Sequence, residues 1–334
     1  MNQDTETEKY CKSQPLVSVI VPNYNYAAYL PMRMESILKQ TFQDFELILL
    51  DDASTDASVE LLKDYRQYPH VAHVEVNGVN SGSPFIQWMK GIQLARGKYV
   101  WIAEADDLAD VHFLEECVRW AEQQPDTAFC YVGSQIIDEE GQVSAKDINH
   151  WGGRAKREAN IFPGKAFAEH NLYWRNYTLN ASGVLFRRTY ALTLVQSPFL
   201  TMRYCGDWMF WFQMALQGSV VEIYRNLNFF RQHPAKVTVS SQAEGRGVNE
   251  DIQILAFMES QLPPLATYKK RLRRGLLYKK IGRKPMSHSS KIALFDRRDA
   301  ELGSSRADYW LMVSNQLLRW IFPNLLTRGR DRLK

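Results

Sequence analysis

The stretch VSVIVPNYN, residues 17–25, decides the fold of this chain. Its first six residues are β-branched or apolar almost without a break, which is typical of a strand that is covered on both faces. Polar residues break the pattern at 23–25, and apolar side chains then recur at helical spacing from Leu30 to Leu38. The stretch therefore predicts a buried strand, a loop and a helix.

The same order of elements repeats along the next hundred residues. Apolar runs predict further strands at 47–50, 71–76 and 99–103, and helical periodicity follows each of them. Strands that alternate with helices across short connections indicate a parallel sheet that is covered on both faces. We therefore predict an α/β fold with a Rossmann-like, mostly parallel sheet.

The alternation weakens between about residues 138 and 180, and the chain changes character after Ser240. Helical periodicity predicts three further helices, at 249–261, 268–281 and 307–322. The predicted organisation is a disordered N-terminus at 1–14, an α/β domain at 15–243 and a helical C-terminal extension at 244–334.

The composition narrows the classes of protein to consider. The 334 residues suffice for one or two domains, and 45% hydrophobic with 23% charged residues is ordinary for a globular chain. A net charge of +4 is too small to indicate a nucleic-acid partner. The four cysteines follow no metal-site spacing, which favours reduced thiols. Residues 1–10 do not resemble a signal peptide, and no apolar run reaches about 18 residues, so we expect a cytoplasmic location.

Acidic residues follow two of the predicted strands. Asp51 and Asp52 come directly after the second strand, and Glu104, Asp106 and Asp107 come after the fourth. Because ligands bind beyond the carboxyl ends of parallel strands, we expect both clusters at one edge of the sheet. Gathered carboxylates repel each other unless a cation compensates, and Mg²⁺ or Mn²⁺ accepts carboxylate and phosphate oxygens together. The pattern predicts a metal-chelated diphosphate site.

Helix capping is the alternative explanation of these acids. Aspartates in turns after strands commonly accept hydrogen bonds from the first amides of a helix. The cluster at 51–56 taken alone favours capping, and for the cluster at 104–107 taken alone the two explanations are about equal. Two clusters at the same edge favour the metal site.

Several motifs in order resemble the opening of family 2 glycosyltransferases. They are, in chain order, VIVPNYN at 19–25, SILKQTF at 36–42, LDDASTD at 50–56, NSG at 80–82, ARGKY at 95–99 and AEADD at 103–107. The resemblance covers roughly residues 15–235. It implies a GT-A fold for the domain at 15–243, a UDP- or dTDP-sugar as donor, and a divalent cation, Mn²⁺ or Mg²⁺, held by the DxD motif.

The resemblance also implies roles for particular residues. The donor nucleotide would contact Pro22, Asn23, Tyr24, Asn25, Asp52 and Asp106. The cation would be held by Asp106 and Asp107. Glu104 stands where the family often has Asp, and Trp88-Met89 stands where it frequently has Arg-Asn. Lys90 is then the candidate for a diphosphate contact from that helix.

Asp207, in CGDWMFW at 205–211, is the candidate catalytic base. A positioned carboxylate can deprotonate an acceptor hydroxyl as it attacks, and a single base on the far side implies inversion at the anomeric carbon. An aspartate that opens a helix is more often a cap on physical grounds alone. The segment resembles the family's acidic ED motif, with Gly206 in place of the usual Glu, and that resemblance favours the base.

Four more residues are candidates for diphosphate or acceptor contacts. Arg231 and His233 resemble a downstream family pattern whose basic groups approach the diphosphate. Asn180 and Ser182 stand where the family places an acceptor-side segment, although ordinary turn chemistry explains them equally well.

The C-terminal residues allow two interpretations. Trp310, Val313, Leu317, Trp320 and Ile321 form an apolar stripe, and a basic tail follows at 328–334. Such a helix either packs on the catalytic domain, which is the favoured interpretation, or lies in a membrane interface. The acceptor is expected to be a carbohydrate or a lipid-linked glycan of cell-surface polysaccharide or glycolipid synthesis.

Two rival functions remain. A nucleotidyltransferase would place a Gly-rich, cationic phosphate loop after the first strand, and residues 22–25 contain neither glycine nor cation. A nucleotide- or glycan-binding module without turnover would share the fold, and an assay of nucleotide release distinguishes it from an enzyme.

Overall fold

The structure is a computed structural model, and it describes residues 14–149, 151, 156–178, 180–233, 246–262 and 264–322. The N-terminus predicted to be disordered lies outside these residues except for Gln14, and so does the basic tail. The described residues form two compact units. The sheet unit comprises the described parts of 1–165, 178–201 and 213–233, and the helical unit those of 166–177, 202–212 and 234–334.

Ten strands of the sheet unit form a single mixed sheet. They are β1 (Val17–Asn23), β2 (Phe45–Asp51), β3 (Val71–Val76), β4 (Tyr99–Ile102), β5 (Leu108–Ala109), β6 (Thr127–Ile137), β7 (Val143–Asp147), β8 (Ala159–Phe162), β9 (Val184–Arg187) and β10 (Ser219–Arg231). The order is β3-β2-β1-β4-β9-β6-β10-β5, while β7 pairs with β6 and β8 with β10.

The first four strands are parallel, as the sequence predicts. β1 is the middle of this group, with β2 on one side and β4 on the other, and every residue of all three strands is buried. This burial explains why their sequences are continuously apolar rather than alternating. The helices of this half are α1 (Leu30–Leu38), α2 (Ser58–Asp64), α3 (Pro84–Leu94) and α4 (Phe113–Gln123).

The ARGKY motif joins β1 to β4 by a close backbone approach. A Cβ on Gly97 would lie 2.6 Å from the amide nitrogen of Ser18, so only glycine fits here. The Gly97 amide donates to Ser18 Oγ at 2.8 Å, and Arg96 Nε donates to Glu46 Oε2 at 2.7 Å. The motif therefore fixes the register between the central strands.

The second half of the sheet is not apparent from the sequence pattern. β9 is antiparallel to both of its neighbours, β4 and β6, and the long strand β10 is parallel to β6. Two short helices, α5 (Gly164–Phe167) and α6 (Arg188–Ala191), connect these strands. The α/β class with a mostly parallel sheet is confirmed, and the antiparallel insertion of β9 is the addition that the structure makes.

The helical unit contains the C-terminal helices. Helix α7 (Gly206–Ala215) begins in this unit, and its last three residues belong to the sheet unit. It is followed by α8 (Arg246–Gln261), α9 (Thr267–Arg283), α10 (His288–Leu302) and α11 (Arg306–Ile321). Three of these match the predicted helices within a few residues, and α10 was not predicted. Only six of its fifteen residues are apolar, two of them alanines, and the rest are polar or charged, so its apolar periodicity is weak.

Candidate active site

The two acidic clusters lie at one edge of the sheet. Asp51 ends β2 and pairs with Asn23 at the end of β1, while residues 104–107 follow β4 on the other side of β1. Neighbouring strands are separated by about 4.8 Å, so two strand spacings place the ends of β2 and β4 roughly 10 Å apart. The structure thus brings both clusters to the edge that the sequence predicts.

Asp52 holds together the loop that follows β3. Its Oδ1 accepts hydrogen bonds from Asn77 Nδ2 and Gln87 Nε2, both at 2.8 Å. The Ser81 amide and hydroxyl donate to the same carboxylate at 2.9 and 2.8 Å. Four protein donors thus bind this one carboxylate. Asp52 is therefore an organising residue of this edge, and its contact with a nucleotide stays a prediction.

The loop predicted to contact the nucleotide is fastened to the turn after β2. Asn23 Nδ2 donates to Asp51 Oδ2 at 2.8 Å, and Asn25 Oδ1 accepts from the Thr55 amide at 2.8 Å. Asn25 has a left-handed backbone with φ of 58°, which asparagine tolerates better than most residues. Pro22 is buried and the side chain of Tyr24 is exposed. The loop therefore presents an aromatic ring on a rigid backbone.

Asp107 connects three separate segments. Its Oδ2 accepts from Asn180 Nδ2 at 2.6 Å and from Ser182 Oγ at 2.8 Å. Its Oδ1 accepts from the Arg231 amide at 3.0 Å. Asn180 and Ser182, which the sequence marks as candidate acceptor contacts, thus lie against this carboxylate. Both Asp107 oxygens are engaged by the protein, which suits a positioning role at the end of β4.

Asp106 faces a histidine. His233 Nε2 lies 3.1 Å from Asp106 Oδ2, and both side chains are buried. The rings of Tyr26 and Tyr29 lie 5.5 and 5.3 Å from the imidazole centroid. A carboxylate and an imidazole are both common ligands of transition-metal cations. The structure thus brings together two residues that the sequence places 127 positions apart.

Arg231 is a buried clamp. Its Nε donates to the carbonyl oxygen of Asp106 at 2.7 Å, and its Nη1 donates to the carbonyls of Asp138 and Glu139, both at 2.6 Å. The guanidinium also lies over the Tyr29 ring at 4.8 Å. These bonds fix the backbone at Asp106 and at residues 138–139, and a contact between Arg231 and a diphosphate stays a prediction.

Lys90 contacts β3 and the loop after it. Its Nζ donates to Asn77 Oδ1 at 2.9 Å and lies 3.6 Å from Glu75 Oε2. The side chain is partly exposed, and its predicted approach to a diphosphate is untested.

The two positions that depart from the family pattern contact each other. Trp88 Nε1 donates to Glu104 Oε1 at 2.8 Å. Burial, and after it the neighbouring charge of Asp106, raise the pKa of Glu104 to about 8. The side chain of Glu104 is one methylene longer than that of aspartate. It forms a hydrogen-bonded pair with the indole of Trp88 at this edge.

Sequence reasoning missed a buried cation beside these acids. Arg33 on α1 is fully buried, and its three guanidinium nitrogens have no hydrogen-bond partner. The guanidinium lies 4.8 Å from the centroid of the Trp101 ring. Burial lowers the pKa of Arg33 to about 10, while the charges of Asp107, Asp106 and Glu104 oppose that change. The available signal was its place on the apolar stripe of α1, three residues after Leu30.

Asp207 lies in the first turn of α7, in the helical unit. Asn176 Nδ2 donates to its Oδ2 at 2.8 Å. Burial raises the pKa of Asp207 to about 6, against the hydrogen bonds of the Trp208 amide and Asn176. A carboxylate with a pKa near neutrality is suited to accept a proton. Asn176 was not among the residues that the sequence identifies.

No set of three or more His, Cys, Asp and Glu side chains within the described ranges is arranged as a metal site. Asp106 and His233 are a carboxylate and an imidazole in contact at this edge.

The chain resembles known glycosyltransferases in sequence. A sequence model described as Glycosyl transferase family 2 matches residues 18–192, slightly more than half of the chain. Chondroitin synthase of Escherichia coli is 30% identical over 139 residues, which is 41% of this chain and 20% of that protein. Glycosyltransferase GlyG of Streptococcus pneumoniae serotype 4 is 35% identical over 109 residues, 33% of this chain and 36% of that protein. The chain thus spans well under half of these relatives.

Solved structures show the same fold at low identity. The crystal structure of S. aureus TarS 1–349 in complex with UDP-GlcNAc matches with a TM-score of 0.68 and 15% identity, covering 90% of this chain and 84% of that one. The same protein in complex with UDP matches with a TM-score of 0.62. The likeness extends beyond the family model into the C-terminal helices.

Proposed function

This chain belongs to glycosyltransferase family 2 and is a glycosyltransferase with the GT-A fold, and on that premise we propose that it transfers a sugar from a nucleotide-diphosphate sugar to a hydroxyl acceptor with inversion. The carrying observation is the gathering of Asp52, Asp106 and Asp107 at the carboxyl edge of parallel strands, beside the loop at 22–25. That edge is where an open α/β sheet binds its ligand.

A divalent cation, Mn²⁺ or Mg²⁺, is part of the proposal. Asp106 and His233 supply a carboxylate and an imidazole, and a cation of this kind needs only one or two protein carboxylates when substrate phosphates complete its shell. When bound, the cation would stabilise the charge that develops on the departing diphosphate as a Lewis acid. Ligation by Asp107 stays a prediction, because its oxygens already accept bonds from Asn180, Ser182 and the Arg231 amide.

Asp207 is the proposed general base. Its raised pKa keeps the carboxylate ionised at neutral pH yet basic enough to accept a proton from the acceptor hydroxyl. Asn176 orients the carboxylate through its Oδ2. Residues 22–25 and Asp52 are the proposed contacts of the nucleotide, with Tyr24 available to stack on a base.

The relatives suggest the classes of donor and acceptor. TarS forms a complex with UDP-GlcNAc, so a uridine diphosphate sugar is the first donor to test. Chondroitin synthase is named for a polysaccharide, and we propose a carbohydrate or lipid-linked glycan as acceptor. A role in cell-surface polysaccharide synthesis and a cytoplasmic location belong to the same proposal.

A panel of nucleotide sugars tests the proposal. We expect the chain to release nucleotide from one of them, in the presence of Mn²⁺ and not of a chelator. Asp106→Asn should weaken metal-dependent nucleotide binding in calorimetry, whereas Asp207→Asn should keep that binding and lose transfer. Loss of donor affinity in Asp207→Asn would contradict its assignment as the base.

Peripheral contact with a membrane is proposed for the end of α11. No helix among the described residues has the length and apolar character needed to span a bilayer. Five large apolar side chains at the end of this helix are nevertheless exposed: Leu317, Leu318, Trp320, Ile321 and Phe322. Tryptophan and aliphatic side chains next to a basic segment are typical of interfacial helices.

A further inference from the structure

The segment that leads into Asp207 is held by an acid from a distant helix. The amides of Arg203, Tyr204 and Cys205 donate to the carboxylate of Glu250 at 2.8, 2.9 and 2.7 Å. Glu250 lies on α8, more than forty residues further along the chain and outside the residues that the family model matches.

These three bonds occupy both oxygens of Glu250. Oε1 accepts from the Arg203 amide, and Oε2 accepts from the amides of Tyr204 and Cys205. Amides that precede a helix have no partner within the helix, and a carboxylate also interacts favourably with the positive end of the helix dipole. Glu250 therefore fixes both the position and the direction of the first turn of α7.

The motif around Asp207 has a glycine where the family it resembles has a second acid. Gly206 directly precedes Asp207 and carries no side chain. We propose that Glu250 is the positioning residue of Asp207 and supplies from α8 the carboxylate that the chain lacks at position 206. This inference rests on the proposed function, in which Asp207 is the base.

The charge of Glu250 acts on the ionisation of Asp207. Its hydrogen-bond donors include Asn176 and the amides of Trp208 and Asp207, all of them neutral. Glu250 is the negative group that acts on it, and the Cys205 thiol beside it has a pKa that burial raises. Asp251 lies next to that thiol and is paired with Lys280. Glu250 thus disfavours the ionised form of Asp207, which makes the base stronger.

Neighbouring contacts support the same turn. Trp208 Nε1 donates to the Leu172 carbonyl at 2.8 Å, and the Arg273 guanidinium lies 5.6 Å from the Trp208 ring. Arg273 Nε donates in turn to the Tyr173 carbonyl at 2.8 Å. The helices after residue 245 therefore hold the turn that bears the proposed base.

Glu250→Gln tests the proposal in the full chain. Glutamine keeps the volume but loses the charge and one acceptor oxygen. We expect kcat to fall by roughly ten- to a hundredfold, because the base is displaced, with the KM for the donor unchanged. The acid limb of the pH–kcat profile should move to lower pH by roughly half to one unit.

Glu259→Gln is the matched control. Glu259 lies on the same helix and binds Tyr173 Oη and Arg274, so its loss should lower stability without moving the acid limb. Glu250→Asp is the second variant, since it keeps the charge and draws the carboxylate back by one methylene. Its kcat should fall, with an acid limb between those of the wild type and Glu250→Gln.

The outcomes separate this inference from the proposed function. An acid limb that stays at its wild-type position in both Glu250 variants overturns the positioning role. An Asp207→Asn variant that still transfers sugar overturns the base itself. If the Asp207→Asn variant is inactive and the acid limb of Glu250→Gln is shifted, the results support both Asp207 as the base and Glu250 as its positioning residue.

Discussion

At the scale of the residue, the ionised carboxylate that suits Asp207 to act as the proposed base also lowers the stability of the fold. Its folded pKa of about 6 lies above the ordinary value of 3.8, chiefly through burial. A group with a raised folded pKa contributes stability that is fully present below its unfolded pKa, and this contribution is lost as the pH rises through the folded pKa. The ionised form that a base needs is therefore the form that weakens the fold.

Asp207→Asn should accordingly melt at a higher temperature than the wild type at pH 8, and by a smaller margin at pH 5, which lies between the unfolded and the folded pKa of Asp207. Asparagine resembles the protonated acid and removes the buried charge. Thermal unfolding at the two pH values measures the difference, and the exposed Asp64→Asn is the control. Equal melting temperatures at pH 8 would contradict the burial argument.

Wild-type transfer should also decline as the pH falls through about 6, because the base becomes protonated. The pH–kcat profile with saturating donor and metal measures this limb. A rate that stays constant down to pH 5 would show that another group accepts the proton.

Arg33 is a residue whose burial needs a reason. An unpaired charge in an apolar interior is costly, and here the carboxylates of Asp106, Asp107 and Glu104 offset part of that cost. The guanidinium thus contributes a fixed positive charge to the acidic edge.

Arg33→Met should keep or raise the melting temperature and strengthen binding of Mn²⁺ by roughly three- to tenfold. The carboxylates lose a built-in positive charge, so the added cation has more charge to neutralise. Calorimetric titration with Mn²⁺ measures the affinity. Arg187→Met is the control, because Arg187 binds the backbone carbonyls of Thr127 and Pro125. Weaker Mn²⁺ binding in Arg33→Met would refute this role.

At the scale of the element, helix α9 offers a paired test of close packing. A Cβ on Gly275 would lie 2.3 Å from the Asp308 carbonyl oxygen on α11, which is backbone and cannot move aside. A Cβ on Gly282 would meet nothing within 4 Å. The two glycines share one helix but differ in surroundings.

Gly275→Ala should lower the free energy of unfolding, because the clash between α9 and α11 exceeds the gain in helix propensity. Gly282→Ala should raise it by up to about 1 kcal/mol, the usual advantage of alanine over glycine in a helix. Urea unfolding measures both. A stabilised Gly275→Ala would mean that the two helices separate easily.

At the scale of the whole molecule, charge is unevenly distributed along the chain. Residues 246–334 contain 19 lysines and arginines against 8 aspartates and glutamates, whereas the residues before them contain 22 against 29. Most cations of α9 are paired with acids of the helical unit, as in the contacts of Arg271 with Asp308 and of Lys280 with Asp251. The exposed apolar end of α11 lies within this basic part of the chain.

The full chain should therefore bind vesicles that contain anionic lipid more tightly than neutral vesicles, and salt should weaken the binding. Trp320→Glu should reduce it, because Trp320 is 84% exposed. Val79→Glu is the control, since Val79 is 81% exposed in the sheet unit. Co-sedimentation measures the binding of each protein to the vesicles. Equal binding of the wild type to neutral and anionic vesicles would refute the membrane contact, and so would equal binding by the Trp320→Glu and Val79→Glu variants.

The sequence by itself determined the α/β class, the first four strands and the placement of acids after β2 and β4. These features follow from local periodicity, because a strand or helix is specified by residues a few positions apart. The resemblance added Asp207, His233 and Arg231 as candidates. It did not reveal that Arg231 donates hydrogen bonds to backbone carbonyls.

Only the tertiary structure decided which side chains meet. It inserted β9 between β4 and β6, placed Asn180 and Ser182 on Asp107, buried Arg33 on Trp101 and brought Glu250 to the amides before Asp207. The partners in these contacts lie from about 45 to about 90 residues apart along the chain. Local sequence patterns carry no information about such pairs, because the packing of the folded chain selects them.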